Sequence, residues 1–289
     1  MSKGKEGDGA ESFEAGLFLN EDYEERTFRA GSQTLQLLCS ASASTDYDLT
    51  GQIMWPAAQL LADHLAANTH ILAGCACALE LGSGLGFPGL IAAQHCPVIL
   101  TDHNAVVLRV LERNAGLNRG LHSIKCMQLD WEDNSDALSD VLLQSPDRQG
   151  FDVLLGSDVA YSLKALPSLF KTAAALMSKR PSSVFMLGYV SRAASIDRGI
   201  SLEAAAVGLR TRMVPGTKKA VPGGLEGAVY EVRWAHLAKA GTVANGREAT
   251  QGRRGAGGSC AQTGVILAAT LGPLFAGVAL SYFLSGSAR

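Results

Sequence analysis

From residue 75 onward, short apolar runs alternate with stretches of helical periodicity, and this alternation limits the fold more tightly than any other feature of the chain. Residues 75–81, 98–101, 124–129, 151–156 and 184–188 read as strands. Residues 87–95, 104–117, 163–177 and 191–207 read as helices. A β-α-β-α series with nearly continuous apolar strands predicts a parallel sheet covered by helices on both faces. Upstream, residues 55–68 form a helical pattern, with Leu60, Leu61 and Leu65 at near-helical spacing and Pro56 suited to the first turn. Residues 229–234 read as a last strand, paired antiparallel at an edge.

The chain of 289 residues has room for one domain plus appendages. Residues 1–12 are charged and glycine-bearing with nothing to bury, so a disordered N-terminus is expected there and a folded domain over residues 13–240. No secretory signal is expected, because residues 1–16 contain no apolar run. Residues 241–263 have the Gly, Ala, Arg and Thr content of a flexible linker. Residues 264–284 carry no charge, and as a helix rising about 1.5 Å per residue they would cross a hydrocarbon core of roughly 30 Å. Gly272, Pro273 and Gly277 would kink such a helix, which bilayers tolerate. Arg253 and Arg254 precede the run, and the short tail 285–289 follows it. The expectation is therefore a C-terminal transmembrane anchor with the large domain in the cytosol; the alternative is a buried final helix. Cys260, just before this run, is either lipidated or a plain thiol.

The balance of 25 basic against 27 acidic residues argues against nucleic acid as the main partner, because phosphate neutralisation needs clustered cations. The six cysteines form no CxxC pair and no Cys/His ligand spacing. No metal is expected from them.

The chemistry concentrates at strand ends. Residues 79–89 (Leu-Glu-Leu-Gly-Ser-Gly-Leu-Gly-Phe-Pro-Gly) follow a strand and open a helix. Glycines at such a turn let backbone approach a ligand closely. The spacing of Gly82, Gly84 and Gly86 around Ser83 is GxGxG, not the GxGxxG of dinucleotide folds. An acidic Glu80 before the first glycine would repel a diphosphate but suits the amino group of a methionine moiety, so charge selects S-adenosyl-L-methionine. Asp102 ends the next strand, where it accepts ribose hydroxyl protons, caps the helix at 104–117, or does both. Asp130 and Trp131 end the third, where they either enclose adenine or pack and cap.

In order along the chain, residues 50–56 (Thr-Gly-Gln-Ile-Met-Trp-Pro), the glycine segment, residues 98–104 (Val-Ile-Leu-Thr-Asp-His-Asn), 129–131 (Leu-Asp-Trp) and 156–162 (Gly-Ser-Asp-Val-Ala-Tyr-Ser) resemble the methyltransferase-like protein-lysine methyltransferases. The resemblance covers roughly residues 45–190 and fades after Tyr189-Val190-Ser191-Arg192. It implies a class I, Rossmann-like α/β fold with a seven-stranded, mostly parallel sheet and helices on both faces, here followed by a C-terminal hydrophobic helix. It implies that Gly82, Ser83, Gly84 and Gly86 cradle S-adenosyl-L-methionine with Glu80 beside it, and that Asp102 holds the ribose. Trp131, with Asp130, lies along the adenine, Trp55 closes the pocket, and Ser157 borders it. Asp158 and Tyr161 match the family's DxxY motif at the methyl-transfer site.

The expected activity is methyl transfer to the ε-amino group of lysine in a protein substrate, by a monomeric catalytic domain. Exposing the neutral amine at pH 7 costs roughly 4.6 kcal/mol, and Asp158 alone would favour the cation, so it is expected to orient the nitrogen together with Tyr161. Repulsion from the cofactor's positive charge then favours loss of the proton to water. The rival readings are a small-molecule methyltransferase and a non-catalytic, membrane-anchored binding module on the same fold.

Overall fold

The computed structural model describes residues 23–40, 47–132 and 135–237. The N-terminal segment 1–12, the linker 241–263, the apolar run 264–284, the tail 285–289 and Cys260 lie outside the described residues. Among the described residues no helix is long and apolar enough to cross a membrane.

A hairpin leads the fold: β1 (Tyr23–Ala30) and β2 (Gln33–Ser40) pair antiparallel across a Gly31-Ser32 turn. Then come α1 (Pro56–Ala67), β3 (Ala78–Leu81), α2 (Phe87–Ala92), β4 (Val98–Asp102), α3 (Ala105–Leu117), β5 (Ile124–Gln128) and α4 (Ser135–Leu142). The second half holds β6 (Val153–Ser157), α5 (Leu166–Leu176), β7 (Val184–Ser191), α6 (Ala194–Ala206), β8 (Leu209–Met213), β9 (Lys219–Val221) and β10 (Leu225–Trp234).

The main sheet runs β5-β4-β3-β6-β7-β10-β8, the expected seven strands, and the short β9 adds an eighth beside β10. The first five of these pair in parallel, and β10 is antiparallel to both β7 and β8. Alternation within the strands sorts their side chains onto two faces. Ala78, Val98, Leu100, Val153, Leu155 and Met186 meet α1, α2, α3 and the hairpin on one face. Leu79, Leu81, Leu154, Phe185 and Leu187 meet α5 and α6 on the other, through Leu169, Phe170, Ile196 and Ile200. Both faces of β3, β4, β6 and β7 are buried, which is why these strands read as apolar runs.

Two expectations shift, and one element was not anticipated. The last strand is not at an edge: β10 lies between β7 and β8, and β8, with its Arg210, Thr211 and Arg212, has the charged composition of an outer strand. The helix expected from residue 191 begins at Ala194, because β7 continues to Ser191 to pair with Glu226 of β10. The hairpin went unread because half of β1 is exposed and its composition is largely polar. It is held to α3 by Asn114 and Asn118: the Leu38 N–H donates to Asn114 Oδ1 at 2.7 Å, and the Gln36 N–H to Asn118 Oδ1 at 2.9 Å.

Candidate active site

In this sheet the chain leaves β3 toward β4 on one side and returns through β6 on the other. The crevice at the carboxyl ends of β3 and β6 is thus the topological switch point, where open α/β sheets bind ligands. A cavity of about 420 Å³ opens there, within the range of small-molecule sites. Along the strand ends in the order β5, β4, β3, β6 it meets Asp130 and Trp131, then Asp102, then Gly82 to Gly86, then Ser157, Asp158 and Tyr161. Thr50, Gly51, Met54 and Trp55, at the approach to α1, complete the wall.

The glycine turn has no room for side chains. Gly82 has φ of 60°, and a Cβ there would stand 2.7 Å from Val159 Cγ1. Gly84 has φ of 52°, and its Cβ would come within 3.1 Å of the Gly51 carbonyl oxygen. Only glycine takes these positive φ values without cost, so the turn brings bare backbone to the cavity. Asp102 braces it: Oδ2 accepts the Gly84 N–H at 3.1 Å and Oδ1 accepts the Asn104 N–H at 3.1 Å. The cap of α3 is Asn104, whose Oδ1 accepts from Val106 and Val107. Asp102 is therefore not the helix cap, and its carboxylate stays at the cavity wall.

Glu80 is placed differently from the other expected residues. It is fully buried beneath the turn and does not line the cavity; its Oε2 accepts the Gly89 N–H at 3.1 Å, and its Oε1 is without a hydrogen-bond partner. Burial pushes its carboxyl up to about 8, against the smaller opposing effect of the Gly89 N–H.

Asp158 follows β6 with φ of 58°, a left-handed conformation that aspartate tolerates better than most residues. Its N–H donates to the Gly188 carbonyl at 3.0 Å, fixing this corner against β7. Its Oδ1 accepts from Arg192 Nη1 at 2.6 Å, whereas its Oδ2 is buried with no hydrogen-bond partner. Arg192 also lies over the Trp55 ring at 5.8 Å, and the Trp55 Nε1–H donates to the Thr50 carbonyl at 2.9 Å. Burial works against the Arg192 charge, but the adjoining Asp158 carboxylate outweighs it and holds the guanidinium above its ordinary value.

The cavity thus gathers Trp55, Gly82, Ser83, Gly84, Gly86, Asp102, Asp130, Trp131, Ser157, Asp158 and Tyr161, and leaves Glu80 behind the wall. Asp130 is exposed at the rim, where its Oδ1 accepts the Glu132 N–H at 2.8 Å. Sequence reasoning passed over Lys164 and Glu132, which pair across the rim at 3.7 Å, and Arg192. Only the pairing of β6 with β7 brings Arg192 to Asp158, so no local pattern marks it. A polar-apolar cavity and a glycine turn with no room for a Cβ fit S-adenosyl-L-methionine.

The chain is similar to several known methyltransferases. The chain is 32% identical over 147 residues to the histone-arginine methyltransferase METTL23 of Mus musculus, covering 50% of this chain and 54% of that protein. It is 32% identical over 139 residues to the protein N-lysine methyltransferase METTL21A of Mus musculus, covering 47% and 58%. The chain thus spans little more than half the length of these relatives. A solved O-methyltransferase from Bacillus cereus in complex with SAH is 16% identical, with a TM-score of 0.44 over 62% of this chain and 81% of that one. A family profile described as lysine methyltransferase matches residues 32–198, and the chain belongs to that family.

Proposed function

We propose that this protein transfers methyl groups from S-adenosyl-L-methionine to the ε-amino group of lysine in a protein substrate. One observation carries the reading: a single cavity at the switch point joins a bare glycine turn and the Asp102 carboxylate at one end to the Asp158 and Tyr161 corner at the other. Gly82 to Gly86 would hold the cofactor through backbone, Asp102 would take the ribose hydroxyls, and Trp131 and Trp55 would enclose its rings. Bound there, the cofactor supplies an electrophilic methyl group on a positively charged sulfur. The chain's own task is to present a nitrogen lone pair, since proximity and alignment account for most of what a site can add to such a displacement. Asp158 Oδ2 is the acceptor that can orient an N–H of the incoming amine, and Tyr161 borders its path.

The name of the Mus musculus METTL23 relative supports a second reading in which the acceptor is arginine. A guanidinium pairs well with a carboxylate, as that of Arg192 already does through a single Nη1 contact to Asp158 Oδ1. Incubating the full chain with methyl-labelled cofactor and cell extract, followed by mass spectrometry of labelled proteins, decides between them. Methyl-lysine is the expected product; methyl-arginine would replace it with the second reading, and labelled small molecules alone would overturn both.

The charge-free run 264–284 supports a membrane-anchoring segment, and Arg253 and Arg254 before it support a cytosolic catalytic domain. Carbonate extraction should leave the full chain in the membrane fraction and release a chain ending at Thr263. Equal solubility of the two would refute the anchor.

A further inference from the structure

The Asp158 corner poses an electrostatic difficulty for amine methylation. A lone carboxylate beside the acceptor would hold a lysine in its ammonium form, which has no lone pair to give. The fold answers with a cation drawn from another element. Arg192, the residue after the end of β7, meets Asp158 Oδ1 at 2.6 Å; the side chains are 12% and 5% exposed, so solvent does little to screen the pair. Arg192 Nη1 is further tied to the Val190 carbonyl at 3.3 Å, and the guanidinium lies against Trp55. The other oxygen, Oδ2, is left buried and unpartnered on a residue that lines the cavity.

We infer that Arg192 is a positioning residue that cancels the charge of Asp158 and occupies one of its oxygens, so that the other orients an acceptor amine without binding it as the cation. The proton leaves to water as the amine enters. This rests on the reading of the cavity as a methyl-transfer site. The remaining ionisable groups around the corner leave that balance in place. Tyr161 faces the same cavity, Lys164 and Glu132 pair with each other at the rim, and Asp102 and His103 line the far end at 3.4 Å from each other. Behind Arg192, the Tyr189 hydroxyl donates to Asp197 at 2.7 Å.

The test uses two probes that need no substrate protein. S-adenosylhomocysteine has no charge at the transfer position. Sinefungin carries an amine there. Their affinities, measured by calorimetry on the full chain between pH 7 and 9, give a ratio that reports the charge felt at that position.

Arg192→Gln should raise the preference for sinefungin by at least about tenfold, because the carboxylate is then unopposed. Asp158→Asn should lower it by a similar factor, because the guanidinium is then unopposed. The double variant, neutral at both positions, should return close to the native ratio, and Arg192→Lys should stay near it. A merely structural Arg192 would change the affinity for both probes alike. An unchanged ratio in Arg192→Gln overturns the inference, as does a double variant that behaves like Asp158→Asn. If Arg192→Gln does not fold, the double variant and Arg192→Lys decide by the same criteria. Failure of the native chain to bind S-adenosylhomocysteine at all would instead overturn the methyl-transfer reading.

Discussion

At the residue scale, Glu80 shows how burial can change what a motif residue does. A carboxyl group sealed beneath the glycine turn, with one oxygen on the Gly89 N–H and the other on nothing, favours its neutral form, and its ionisation moves from 4.5 to about 8. The unfolded chain ionises this group near 4.5, so between these values the folded state binds the extra proton. Stability therefore falls as pH rises through that window and levels off above about 8. Glu80→Gln cannot ionise and keeps the acceptor for Gly89. Its melting temperature should match the native protein near pH 4.5 and exceed it increasingly toward pH 8, by at most about 5 kcal/mol in stability. Denaturant titrations at a series of pH values check this; a gap that is the same at pH 5 and pH 8 would show that Glu80 ionises normally.

At the scale of elements, the hairpin β1–β2 is held to the domain by polar side chains as much as by apolar ones. Asn114, fully buried on α3, accepts the Leu38 N–H at 2.7 Å and donates to the Leu85 carbonyl at 3.1 Å, so one side chain links the hairpin to the end of the glycine turn. Leu35, Leu37 and Phe28 add packing against α2 and α3. Asn114→Ala leaves a buried donor and a buried acceptor without partners and should cost roughly 2–4 kcal/mol. Thermal denaturation reads the loss. Hydrogen exchange should speed up in β2 before it does in β3 or β6; uniform acceleration across the sheet would mean that the hairpin and the sheet unfold together. Another tie, between the Tyr23 hydroxyl and Gln52, joins β1 to the turn before α1. The hairpin therefore supports two walls of the cavity without lining it.

At the scale of the whole molecule, helices cover both faces of one sheet, and the two cores share its strands: Leu79 and Leu81 point to one, Ala78 to the other. Such a shared sheet should melt as a unit. The cavity draws its walls from the ends of four strands and from the segment before α1, so a ligand there ties both halves of the fold together. S-adenosylhomocysteine at a hundredfold excess over its dissociation constant should stabilise the protein by about 2.7 kcal/mol and shift a single transition upward. Two separate transitions, or an unmoved one, would contradict this account of the core and of the cavity.

Local chemistry made much of this legible in the sequence. The parallel sheet, its helices and the places where chemistry is carried follow from apolar runs ending in Gly82 to Gly86, Asp102, Trp131 and Asp158, because a strand buried on both faces must be apolar and its ligand must be met where it ends. What tertiary structure decided was everything that depends on partners distant in sequence. It put Glu80 under the turn and out of the cavity, drew β10 in from the edge to lie between β7 and β8, and set Arg192 against Asp158. Burial and charge pairing arise only once strands far apart in the chain lie side by side, and no local spacing encodes which residues will meet there.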